Sequence, residues 1–211
     1  MEEAAVTVGA VTAVGQDAIA LEFETPPEFD ARPGQFVKLV ITAAGEDHSR
    51  FYTISSPTVG ETFELTVEID PDGDVSPQLR ELEAGDEVEL SGPYGNAYYE
   101  DEASVLVIAG GPGVGPAVGI AERTLDDGGE VAVVYRDEDP IHRDRLDALA
   151  DRGAFVRLLD ADESLSAHVE AAGVEDRQVF VYGFADFLDG AMDAIAAAGG
   201  KPDEAKVENF G

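Results

Sequence analysis

Residues 104–120 read SVLVIAGGPGVGPAVGI. SVLVIAG is a continuous apolar run, the pattern of a strand buried on both faces of a parallel sheet. Gly110, Gly111 and Gly113 break the run, and the chain then reads as a helix to about Leu125. A glycine-rich turn between strand and helix lets backbone approach a pyrophosphate, and the helix dipole favours the charge. Here the loop follows a strand, opens a helix and begins a βαβ unit, the context that gives such a loop its meaning.

The alternation continues towards the C-terminus. VAVVY (131–135), AFVRLLD (154–160), QVFVYG (178–183) and KVENF (206–210) read as strands, with helical segments at 141–152, 165–173 and 184–199. Strands alternating with helices predict an α/β domain with a five-stranded parallel sheet over residues 101–211. Towards the N-terminus the period changes. Segments 5–14, 18–25, 34–42, 50–55, 62–70 and 86–92 are rich in Val, Ile, Thr and Phe. They are punctuated by Pro26-Pro27, Pro33-Gly34, Asp72-Gly73 and Gly85-Asp86. This predicts an antiparallel six-stranded β-barrel over residues 1–100. A short helix is expected at 77–83, capped by Ser76 with a proline at its first position.

Composition narrows the function. The 211 residues hold 45 acidic and 13 basic side chains, a net charge of −32. Such a chain is repelled by nucleic acid and by anionic membranes. A sequence pI near 4.1 and only three lysines suggest a halophilic protein, kept in solution where salt screens self-repulsion. There is no cysteine, so the chain supplies no disulfide, reactive thiol or thiolate ligand for an iron–sulfur cluster. His48, His142 and His168 are widely separated, and no metal centre is expected. The start MEEAAVTVGA lacks the basic and apolar regions of a signal peptide, and no apolar run reaches the ~18 residues of a membrane span. A cytoplasmic location is expected.

Three barrel segments carry further chemistry. In RFYTISS (50–56), Arg50 and Tyr52 share one face of a strand and Thr53 points to the other. Arginine binds phosphate bidentately and tyrosine lies against flat rings; an exposed arginine beside a core tyrosine reads equally well. In DPDGDVSPQL (70–79), Gly73 and Ser76 precede the short helix, as an anion site or as an ordinary cap. In SGPYGN (91–96), Gly92 and Gly95 permit close backbone approach or simply a turn between domains.

In order and spacing these pieces resemble the ferredoxin–NADP reductase family, which carries Arg-x-Tyr-Ser, Gly-x-x-Ser and Gly-Pro-x-Gly motifs in its barrel. Here they stand as Arg50-Phe51-Tyr52-Thr53, Gly73-Asp74-Val75-Ser76 and Gly92-Pro93-Tyr94-Gly95. The resemblance covers residues 4–211. It implies FAD held by these three motifs: Arg50 and Ser76 on the pyrophosphate, Tyr52 on the flavin ring, and Thr53 near flavin N5. The loop Gly110, Gly111, Gly113, Val114 and Pro116 is similar to the family's Gly-Gly-x-Gly-x-x-Pro and implies NADH or NADPH. Proline stands at 112 where the family often has threonine. Tyr182-Gly183-Phe184 takes the place of the family's Cys-Gly-Pro, which implies Tyr182 beside the nicotinamide. The ending KVENFG implies Glu208 near the nicotinamide and Phe210 near the flavin.

The implied activity is an FAD-dependent oxidoreductase. It moves electrons between NAD(P)H and a one-electron carrier such as ferredoxin, flavodoxin or a redox-enzyme subunit. The alternatives are an electron-transfer subunit of a larger complex and a non-catalytic flavin-binding protein, the latter suggested by the altered 182–184 segment. Strand 131–135 runs into Arg136, Asp137 and Glu138. A carboxylate there favours a ribose 2′-hydroxyl, hence NADH; Arg136, His142 and Arg143 are the residues that could instead meet a 2′-phosphate.

Overall fold

The computed structural model describes residues 3–43 and 45–211. The N-terminal half is built from β1 (Ala4–Gly15), β2 (Ala18–Glu24), β3 (Phe36–Ala43), β4 (Glu46–Thr53), β5 (Thr62–Glu68) and β6 (Glu87–Tyr94), with helix α1 (Ser76–Arg80) before β6. All strand pairs are antiparallel, in the order β4-β3-β6-β1-β2-β5. A bridge between Ile54 and Leu65 brings the β4 edge back to β5 and closes the barrel. Period-two alternation fills it: Ile19, Leu21 and Phe23 from β2, Val37 and Leu39 from β3, and Phe63, Leu65 and Val67 from β5 all point inward. Each fully buried side chain of this kind contributes about 1.5–3 kcal/mol.

The C-terminal half comprises β7 (Ser104–Gly110), α2 (Val114–Asp126), β8 (Glu130–Arg136), α3 (Arg143–Asp151), β9 (Phe155–Leu159), α4 (Leu165–Ala172), β10 (Gln178–Gly183), α5 (Ala185–Ala197) and β11 (Lys206–Asn209). The five strands are parallel, in the order β11-β10-β7-β8-β9. The apolar strands serve both faces. Val105, Val107, Val133 and Phe180 pack under α2 and α3. Leu106, Ile108, Val134 and Val181 pack under α4 and α5. The strand order reverses between β7 and β10. A crevice therefore opens at their C-terminal ends, Gly110 and Gly183, where such sheets bind ligands. Among the described residues no helix is long and apolar enough to cross a membrane.

The two halves are tied directly. Arg145 of α3 donates to Glu64 (2.9 Å), to the Ser55 carbonyl (2.8 Å) and to Glu122 (2.7 Å). Buried His142 shares a 2.7 Å hydrogen bond with Thr66. Gly119 packs so closely on the barrel that a Cβ there would lie 2.8 Å from the Ser55 carbonyl oxygen.

The short helix departs from expectation. It runs Ser76–Arg80, and Val75 rather than Ser76 precedes it, with no side-chain cap. The loop folds back on Asp70, so the Ser76 hydroxyl accepts the Asp70 amide at 2.9 Å instead of capping the helix.

Candidate functional site

Two hollows meet where the barrel faces the crevice. The first, about 620 Å³, is walled by Phe51, Tyr52 and Thr53 of β4, by Thr66 and Glu68 of β5, and by Pro112, Phe184 and Phe210 from the α/β domain. The second, about 490 Å³, lies over Gly110 and Gly111 and reaches Arg136, Asp137, Glu138 and Asp139 at the end of β8. Both are of the size that small-molecule sites occupy. Asp17, Glu68 and Phe184 border both, so the two hollows form one cleft. A third hollow, about 350 Å³, opens beyond Phe51 and Thr53 and is lined by Glu208 and Phe210.

Strand geometry explains the first hollow. Tyr52 is level with Val37 and Arg50 with Leu39 in the β3–β4 register. Tyr52 leans on the barrel core, and burial pushes its hydroxyl up to about 12. Phe51 and Thr53 lie on the opposite face; Phe51 is 63% exposed and Thr53 buried. Phe210 and Phe184 approach edge to face at 6.1 Å. Four aromatic side chains thus present apolar surface to one cavity, which suits a flat ring such as a flavin.

The arginine beside them is available. In a chain crowded with carboxylates, Arg50, Arg136, Arg143 and Arg157 make no ion pair with another described residue. Arg50 is exposed and spends only one donor, on its neighbour's carbonyl, Ser49 O. Arg136 stands at the mouth of the second hollow. Arg50 itself borders none of the three hollows, whereas Arg136 lines the second. These residues fit a dinucleotide: aromatic walls for the ring, and an uncommitted guanidinium at the second hollow for phosphate.

The glycine loop is shaped by packing as much as by access. A Cβ on Gly113 would stand 2.4 Å from the Tyr182 carbonyl oxygen, and one on Gly110 2.6 Å from the Phe187 ring. Gly111, at φ +56°, is the residue turned to the cleft. Val114 and Pro116 are buried in the first turn of α2, and Gly183 abuts the Phe187 ring.

Several expected positions lie elsewhere. Gly92 and Gly95 receive β3: a Cβ on Gly95 would meet the Phe36 ring at 2.9 Å, so that space is taken by protein. Pro93, Gly73 and Ser76 border none of the three hollows, and Val75 is barrel core. Tyr182 requires a correction. Its side chain is fully buried, stacked on Phe180 at 6.4 Å, and its hydroxyl donates to the Ala97 carbonyl. A ring enclosed in this way touches nothing docked in the cleft. Glu208 sits in the third hollow with Thr53, and burial holds its carboxyl above the usual range.

Asp17, Thr66, Glu68, Asp70 and Phe184 line the cleft without having been singled out as site residues. They come from separate loops and strand ends whose convergence no local pattern records. Phe184 alone carried a signal, as a bulky side chain in place of the family's proline.

Comparison with known proteins agrees with this geometry. Residues 5–99 match the family model described as oxidoreductase FAD-binding domain. The glycine betaine monooxygenase reductase subunit of Pseudomonas aeruginosa is 35% identical over 138 residues, covering 61% of this chain and 38% of its own length. The ferredoxin reductase component of 3-ketosteroid-9-alpha-monooxygenase from Mycobacterium tuberculosis is 30% identical over 220 aligned residues, covering 92% of this chain and 62% of its own length. The chain therefore spans less than two thirds of these relatives. Among solved structures, the flavohem-like FAD/NAD binding domain of nitric oxide dioxygenase from Vibrio cholerae superposes with a TM-score of 0.85 at 21% identity, covering 98% of both chains. A ferredoxin NADP+ reductase from Neisseria gonorrhoeae, with bound FAD and NADP, gives 0.80 at 17% identity over all of both chains. Residues 5–99 thus match an oxidoreductase FAD-binding domain, and the chain as a whole has the two-domain fold seen in the ferredoxin–NADP reductase structures.

Proposed function

We propose that this chain is an FAD-dependent oxidoreductase that moves electrons between NADH or NADPH and a one-electron carrier. The observation that carries the reading is the continuous cleft. An aromatic-walled hollow on the barrel opens into a second hollow over the glycine loop, with Phe184 on their common border. Bound FAD would supply the redox chemistry, hydride uptake from the nicotinamide and one-electron release to an outside acceptor.

The chain's own residues position and tune. Tyr52 and Phe210, both on the wall of the first hollow, would hold the flavin ring. Thr53 would offer a hydroxyl at flavin N5, and Glu208, whose carboxyl burial holds above its ordinary range, lines the adjoining hollow. Arg50, now on the Ser49 carbonyl, would meet the FAD pyrophosphate, with Ser76 and the Gly73 turn beside it. Gly110 and Gly111 admit the nicotinamide nucleotide, with Arg136 and Glu138 at its adenosine end. Asp137 is held by the Tyr135 hydroxyl (2.9 Å) and the Asp139 amide (3.0 Å), which leaves Glu138 as the carboxylate for a ribose hydroxyl. NADH is accordingly the preferred donor.

The relatives are reductase subunits and components of oxygenase systems, which supports an acceptor of that type: a ferredoxin, flavodoxin or enzyme subunit. The same names favour a second reading, in which the chain serves as one electron-transfer part of a larger assembly. This stretch has no cysteine, so any iron–sulfur cluster on the route is held by other residues than these. The strongly acidic surface suits high salt and the interior of a halophilic cell.

The test is reconstitution with flavin in molar salt. Cofactor released by acid should run as FAD; recovery of FMN contradicts the pyrophosphate roles, and no flavin uptake overturns the reading.

A further inference from the structure

We infer that Glu68 couples dinucleotide binding to the uptake of one proton, its carboxyl group being neutral when a pyrophosphate lies on the glycine loop. This rests on the reading that the loop takes NADH or NADPH. Glu68 is the last residue of β5, level with Ala18 of β2, and borders both halves of the cleft. A side-chain carbon built on Gly111 would find one atom within 4 Å, the Glu68 Oε2 at 3.9 Å. The space on the Cβ side of Gly111 is thus open except for this carboxylate. The Glu68 carboxylate has no hydrogen-bond or ion-pair partner among the described residues.

A pyrophosphate seated there would confront an uncompensated negative charge at close range in a cleft from which it displaces water. Like charges brought this close disfavour the ionised form. The neighbours offer little relief. Asp17 faces Glu68 from the β1–β2 turn and is engaged with Arg80 (3.5 Å). Asp70 faces it from the loop after β5, and Asp137 from the end of β8. His142, bonded to Thr66 on the same strand, is held neutral by burial. Arg136 is the one guanidinium on the lining of the second hollow. The crowding of the cleft walls and these three carboxylates already holds the Glu68 carboxyl above its ordinary value in the free protein. An arriving dianion raises it further, so binding draws a proton from solvent.

The experiment titrates NAD⁺ into the FAD-loaded chain at fixed molar salt between pH 6 and 8.5, following the flavin difference spectrum. A pH indicator in weak buffer records proton uptake. Wild type should bind more weakly as pH rises, by up to tenfold per unit, and take up as much as one proton per nucleotide. Glu68→Gln should bind at least fivefold more tightly at pH 8, with a flat pH profile and no proton uptake. Asp17→Asn should keep the wild-type slope. Equal slopes in wild type and Glu68→Gln, or weaker binding by the variant, overturn the inference alone. Absence of NAD⁺ binding by either protein overturns the nucleotide reading and the inference with it.

Discussion

Replacing Tyr182 separates a structural role from a chemical one. The resemblance to the ferredoxin–NADP reductases implies a cysteine at position 182, so Tyr182→Cys would restore that residue, yet the structure makes it a core deletion. The side chain is fully buried, stacked on Phe180, and bonded through its hydroxyl to the Ala97 carbonyl between the domains. Removing the ring costs about 3–5 kcal/mol, as for other aromatic truncations in cores. Tyr182→Phe keeps the ring and loses the hydrogen bond, leaving a carbonyl unsatisfied, for about 1–3 kcal/mol. In a chain of this size each kcal/mol moves Tm by roughly 2–4 °C. Tyr182→Cys should therefore lower Tm by roughly 6–20 °C and Tyr182→Phe by clearly less. The assay is thermal unfolding followed by circular dichroism in molar salt, beside stopped-flow flavin reduction. Tyr182→Phe should reduce its flavin at the wild-type rate. If Tyr182→Cys left Tm within 2 °C of wild type while changing the reduction rate, the side chain would face the nicotinamide and its placement here would be wrong.

Three further outcomes follow from single residues. Arg50→Ala should weaken FAD binding roughly 10- to 150-fold, the equivalent of one charge-assisted bond of about 1.5–3 kcal/mol, with the fold intact by circular dichroism; unchanged affinity would mark Arg50 as a surface residue. His142 is held neutral, down to about 3, chiefly by its burial and then by Arg145. The unfolded chain therefore takes up a proton near pH 6.5 that the folded one refuses. Stability from this group is intact above pH 6.5 and falls by up to about 1.4 kcal/mol per unit between pH 6.5 and 3. His142→Asn, which also tolerates the left-handed backbone at φ 53°, should flatten that part of a denaturation series. Glu138→Arg should shift the kcat/KM ratio towards NADPH at fixed salt; a wild-type preference for NADPH would contradict the assignment of Glu138.

Much of the fold was legible because it rests on periodicity. The run at 104–110 and its repeats at 131–135 and 178–183 could be satisfied only by a sheet covered on both faces, and the alternation at 62–68 only by one filled barrel face. What escaped depends on where side chains go after the backbone is placed. Ser76 reads as a helix cap until the 70–76 loop brings the Asp70 amide within reach. Tyr182 aligns with a motif position, yet its length carries the hydroxyl past the crevice to Ala97, where Gly34 makes room for it. Gly95 reads as an opening for a ligand, but the Phe36 ring takes the space. Glu68 and Phe184, two of the three residues that border both hollows, lie more than a hundred positions apart, and only the docking of barrel on sheet brings them to one cleft.

The central claim is that the two hollows hold a flavin and a nicotinamide close enough for hydride transfer. Its most direct test is anaerobic mixing of the FAD-reconstituted chain with NADH in molar salt, following flavin absorbance in a stopped-flow instrument. The account predicts saturable bleaching of the flavin by NADH, faster than by NADPH at equal concentration. A chain that binds FAD and NAD⁺ but leaves its flavin oxidised under NADH would contradict it.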